Sequence, residues 1–113
     1  MSEPLAQPAS LEEVRSRIDE IDARLTTLLA DRQLLVRAAA AFKRDERAVR
    51  APDRVERVVA AARERAARGG LSPDVAEAIW RAMIGAFIDY ELAEHRGRPD
   101  QDGGPADIIP APR

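Results

Sequence analysis

The chain has 113 residues, enough for one domain, and its 45% hydrophobic content suits a globular fold although only 4% is aromatic. With 18 Lys and Arg against 20 Asp and Glu, the net charge is −2, so there is no basic stripe and nucleic-acid binding is not expected. The absence of cysteine excludes disulfides and thiolate metal sites, His95 alone cannot build a metal centre, and no signal-like N-terminus or long apolar run occurs, so a soluble, cytoplasmic protein without a membrane span is expected.

Residues 1–9, with Pro4 and Pro8, read as a flexible leader. Ser10 and Glu13 form an S-x-x-E capping box, and no Pro or Gly follows until Pro52, so a helix is predicted from Leu11 to about Lys43. Leu11, Val14, Ile18, Ile21, Leu25, Leu28, Leu35, Ala39 and Phe42 follow a heptad spacing along it. Such a helix would be roughly 50 Å long, whereas a compact domain of this size has a radius of gyration of about 13 Å. It protrudes unless a second copy of the chain covers it.

The period is lost over residues 44–52, and Pro52 with Asp53 then starts a second helix that runs to Arg68 and ends at Gly69-Gly70. Ser72 as N-cap and Pro73 at the first helical position begin a third, carried to about Arg96 by Val75, Ile79, Met83, Phe87 and Ile88. The expected fold is all-α, with three helices, one very long, in a domain spanning residues 10–96. The tail 97–113 reads as disordered.

Charged residues stand at positions where the pattern asks for apolar ones. With Leu11 at heptad position a, Arg32 also falls at a, where an unpaired buried cation would cost several kcal/mol. Lys43 and Arg15 fall at e, beside the seam. On a continuous helix Arg32 and Lys43 would share a face at roughly 16 Å, a span two long side chains can bridge around a small anion. Arg15 is about 26 Å from Arg32, too far to hold the same small molecule within one chain, so it would act only from a neighbouring copy. In the third helix Trp80, Ile84, Phe87 and Glu91 share a face, which places a carboxylate in an apolar row. The plain alternatives are a coiled-coil register residue for Arg32, snorkelling flank residues for Arg15 and Lys43, and a helix-end salt bridge for Glu91.

The run Arg15-x-x-Ile18-Asp19-x-Ile21-Asp22-x-x-Leu25, followed by Leu28-Leu29-Ala30-Asp31-Arg32 and then Lys43, resembles the first helix of the all-helical chorismate mutases. The resemblance covers about residues 10–95. It implies a homodimer of interlocked helices with two equivalent sites, each taking one arginine from the partner. By this resemblance Arg15 of the partner subunit and Arg32 hold the substrate carboxylates, Lys43 contacts the ether oxygen, Glu91 makes the second ether-oxygen contact, and Arg54 is a further substrate-side arginine. The implied reaction is the rearrangement of chorismate to prephenate, which needs no cofactor or metal.

Phe42-Lys43, Ala51-Pro52-Asp53-Arg54-Val55 and Gly70-Leu71 resemble most closely the branch containing isochorismate-pyruvate lyases, which form salicylate and pyruvate. Three positions depart from the bacterial mutase pattern. Val55 stands where many mutases have a glutamate, Ala51 replaces an acidic loop residue and Phe87 replaces a small hydroxyl residue. Glu91 stands where glutamine is usual. The alternatives to a mutase are therefore a lyase acting on isochorismate, an enzyme acting on an amino-substituted chorismate, and a helical dimer that binds a metabolite without turnover.

Overall fold

The computed structural model describes residues 7–97, so most of the expected leader and the expected tail beyond Gly97 lie outside the described residues. In chain order the elements are α1 (Leu11–Ala40), α2 (Glu46–Arg50), α3 (Pro52–Gly69) and α4 (Pro73–Gly97), with no strand among the described residues. The all-α expectation holds, and the three long helices are joined by one short extra helix, α2. Two compact units divide the chain, the first ending at Leu34 and the second beginning at Leu35.

α1 begins where the capping box places it. The Glu13 N–H donates to Ser10 Oγ at 3.0 Å, and the Glu13 carboxylate reaches back to accept from the Ala9 N–H at 2.8 Å. The other end departs from expectation, because the helix stops at Ala40 and not at Lys43. There the N–H groups of Phe42 and Lys43 bond back three residues, to Ala39 O at 2.9 Å and Ala40 O at 3.3 Å, a tightening that ends an α-helix. Lys43 therefore lies in the segment after α1 and not at an e position of a continuing helix.

The reason is Asp45. Its extended backbone (φ −152°, ψ 177°) and a carboxylate that accepts from the Ala48 N–H at 2.9 Å make it the N-cap of α2. Five residues are too few to display a helical period, so α2 is invisible to a periodicity argument.

Ala51 joins α2 to α3 in the left-handed region (φ 36°, ψ 64°), which costs a non-glycine residue about 1 kcal/mol. Pro52 then opens α3 with its φ already helical. Gly70 ends α3 at φ 86°, a conformation that suits glycine, while the Leu71 N–H bonds to Ala66 O at 3.0 Å. As predicted, Ser72 caps α4, accepting from the Val75 N–H at 3.3 Å.

α3 and α4 form an antiparallel hairpin. Arg63 on α3 reaches Asp74 at 3.1 Å and Glu77 at 2.9 Å, while Glu56, two turns earlier, meets Arg81 further along α4 at 2.9 Å. The core consists of Val59, Ala62 and Ala66 from α3, Ala76, Ile84 and Leu92 from α4, Val49 from α2 and Ala40 at the end of α1. Alanine at three of the α3 and α4 positions lets the backbones approach closely. The buried row on α4 is Ala76, Ile84, Glu91 and Leu92, whereas Val75 and Ile79, assigned to the apolar set by spacing, are about half exposed. No helix among the described residues is long and apolar enough to cross a membrane.

The ion pairs give stability a direction with pH. Hydrogen bonds from Arg96 to Glu46, and from Arg81 to Glu56 and Glu77, hold these carboxyls below their ordinary value of 4.5. Because the folded values lie below the unfolded ones, the contribution is complete above the unfolded value and disappears as pH falls through the folded values. Thermal melts should give a level melting temperature from about pH 8 to pH 5 and a modest decline below about pH 4.5, smaller at high salt. A melting temperature unchanged down to about pH 3 would contradict this.

Candidate active site

Glu91 is the sole buried charged residue among those described, 5% exposed, although it lies one turn and a half from the end of α4. Its Oε2 lies 2.8 Å from Nζ of half-buried Lys43. The contact is an ion pair by distance, yet its angles leave the fully shielded Oε2 without an aligned hydrogen bond among the described residues. A buried oxygen in that state calls for an explanation, because such atoms are normally satisfied. The pair also realises the plain reading of Glu91 as a salt-bridge residue, here with Lys43.

Lys43 is held at its backbone as well. Its N–H donates to Ala40 O, and its carbonyl lies 2.9 Å from Nε2 of His95, one helical turn after Glu91. On either side, Arg37 pairs with Glu94 at 3.0 Å and Arg96 with Glu46 at 2.6 Å. The last turns of α4 thus contact the chain from Arg37 to Glu46 at four places.

Lys43 opens onto a concavity of about 680 Å³ lined by the α1–α2 connection, α2 and the start of α3. Arg44, Arg47, Arg54 and Arg57 line it with Lys43, against two carboxylates, Asp45 and Asp53. None of these four arginines has an ion-pair partner among the described residues, unlike Arg63, Arg81 and Arg96. The result is a local excess of positive charge able to attract a small dianion.

Of the residues singled out by sequence, the structure brings Lys43 and Glu91 into contact and puts Arg54 on the concavity that Lys43 lines. Arg15 and Arg32 belong to the first unit, where both lie on α1, seventeen residues apart and so about 26 Å along its axis. Arg15 is exposed and Arg32 half-buried. A family model described as chorismate mutase type II matches residues 14–92, more than half of the chain. The chain belongs to the type II chorismate mutase family. A search of curated proteins finds no match.

The matched span of this chorismate mutase domain begins just before Arg15 and ends just after Glu91, so it includes Arg15, Arg32, Lys43, Arg54 and Glu91. Membership supports chorismate mutase activity and chorismate as the kind of substrate bound. What sequence reasoning missed is the set Glu94, His95 and Arg96. Basic residues in a last helical turn look like ordinary complements to the helix dipole, and only the fold reveals that they grip the Lys43 segment.

Proposed function

We propose that the chain is a homodimeric chorismate mutase that converts chorismate to prephenate by holding the reactive conformer and stabilising charge on the ether oxygen. The observation that carries this reading is the Lys43–Glu91 pair: a cation and a buried, poorly satisfied carboxyl oxygen side by side, in a domain of this family. The reaction is an intramolecular pericyclic rearrangement in which one C–O bond breaks as one C–C bond forms. No proton, electron or nucleophile is gained or lost overall. The protein contributes proximity and electrostatics alone.

In this mechanism Arg32 and Arg15 of the partner subunit clamp the two carboxylates, forcing the enolpyruvyl arm over the ring. Arg54 adds a third guanidinium on the substrate side. Lys43 and the Glu91 carboxyl oppose the negative charge that develops on the ether oxygen as its bond breaks. The dimer is supported by α1, on which Leu11, Ile18, Ile21, Leu25, Leu28 and Leu35 are 41–71% exposed. An exposed apolar row of that length, interrupted by Arg32, supports an association surface.

A carboxylate has no proton to donate, so Glu91 can hydrogen-bond the ether oxygen only in its neutral form. Glu91→Gln, whose amide donates at every pH, should therefore retain turnover of chorismate, whereas Glu91→Ala, which cannot donate, should lower it; equal activity in the two variants would remove Glu91 from this role.

The test of the reading itself is to incubate purified protein with chorismate at about pH 5 and about pH 7.5 and identify products by chromatography. Prephenate formation supports it. No consumption at either pH overturns it. Elimination of pyruvate from isochorismate would use the same clamp and oxygen contact, and a parallel incubation with isochorismate, scored for salicylate, separates the two activities.

A further inference from the structure

On α4, Glu91 and His95 are four residues apart and so lie one above the other on one face. Both meet Lys43, but at opposite ends of the residue. Glu91 Oε2 holds the ammonium at 2.8 Å, while His95 Nε2 lies 2.9 Å from the backbone carbonyl. A carbonyl oxygen can only accept, so the ring must carry its proton on Nε2 and donate. Lys43 sits in the non-helical segment between α1 and α2, where no regular ladder of backbone bonds fixes the peptide plane. Its backbone hydrogen bonds are the N–H to Ala40 O and the carbonyl to His95.

We infer that His95 is a positioning residue for Lys43, fixing the peptide from which the ammonium projects so that the charge stands where the ether oxygen of the substrate will be. The inference rests on the mutase reading for its kinetic consequence and on the hydrogen bond alone for its structural one. The pairs Arg37–Glu94 and Arg96–Glu46 flank the contact and bind the same α4 turns to the ends of the segment. They leave the middle of it to His95. Both pairs are partly or mostly exposed and individually weak, whereas the imidazole is half-buried and directional.

The consequence is specific. A positioning group that acts through Lys43 lowers the rate of the chemical step and leaves substrate affinity, set by the arginines, alone. His95→Ala should lower kcat about tenfold or more with KM changed by less than about twofold. His95→Gln, whose amide nitrogen stands near the place of Nε2 and can donate, should recover most of the loss. In a Lys43→Ala background, His95→Ala should cost almost nothing further, since the group it positions is gone.

The experiment is this double-mutant cycle with circular dichroism on every variant, together with a long-range proton–nitrogen NMR spectrum of the wild-type His95 ring, which shows which ring nitrogen carries the proton. Loss in the Ala variant, rescue by Gln and non-additivity with Lys43→Ala support the inference. An unchanged kcat, or a loss that Gln does not rescue and that persists beside Lys43→Ala, overturns it. If the Ala variant fails to fold, the Gln variant decides, with near-normal kcat supporting the inference and a full loss in a folded protein overturning it. If the wild-type protein does not consume chorismate, the mutase reading fails separately, and the ring spectrum judges the contact. A proton on Nε2 upholds His95 as the anchor of the Lys43 peptide, and a proton on Nδ1 alone refutes it.

Discussion

On the proposed mechanism, Lys43→Ala should lower kcat on chorismate by about 10²–10³-fold while KM changes little and the helical circular dichroism spectrum is retained. The size follows from where the ammonium acts. The ether oxygen is nearly neutral in the ground state and gains negative charge only as its bond to carbon breaks, so a cation beside it stabilises the transition state far more than bound chorismate. Lys43 is half-buried against a 5%-exposed carboxylate, an environment that strengthens such an interaction relative to water. Steady-state kinetics with a melting curve on the same sample makes the check. A comparable fall in activity explained by loss of the folded fraction would make Lys43 a structural residue.

The second large effect concerns the two chains. Arg15→Ala and Lys43→Ala homodimers should each be nearly inactive, yet co-refolding the two variants in equal amounts should restore about a quarter of wild-type activity. Half of the dimers formed are mixed. In each mixed dimer one site takes Arg15 from the Lys43→Ala chain and Lys43 from the Arg15→Ala chain, and is therefore intact. The other site carries both substitutions. If Arg15 served its own chain, every site in the mixture would lack one group and no activity would return. The result thus tests dimerisation and the sharing of Arg15 in a single measurement, and absence of recovery in a mixture shown to contain mixed dimers would reject the shared site.

The helices were legible in the sequence where local chemistry decides them. The Ser10–Glu13 capping box, Pro52 as a helix start, Gly70 as a stop and Ser72 before Pro73 all act within a few residues, and each operates in the fold. The end of α1 was not legible. Ala39 and Phe42 continue the heptad, and what stops the helix is a competition with the Asp45 cap and with α4, whose His95 takes the Lys43 carbonyl.

The site was legible as a set of misplaced charges more than as a geometry. A carboxylate in an apolar row pointed to Glu91, and its burial agrees. Its 2.8 Å contact with Lys43 was not readable, because it joins residues 48 positions apart whose distance depends on how α4 returns to the end of α1. The spacing argument that linked Lys43 to Arg32 along one helix fails at Ala40. Similarly, Val75 and Ile79 fit a helical stripe by hydropathy, but the hairpin buries the row with alanine at position 76 and leaves those two about half exposed.

That alanine seam determines which substitutions the protein tolerates. Ala62, Ala66 and Ala76 are 0–5% exposed, so larger side chains there should press α3 from α4, at a typical cost of about 1–3 kcal/mol. α4 carries Glu91 and His95 at its far end, and a rigid rod displaced near one end moves at the other. Sequence drift can therefore proceed among exposed residues such as Arg65 and Arg68 of α3 while it is nearly forbidden at three of the least conspicuous residues in the chain, which lie away from the candidate site and yet determine where Glu91 stands.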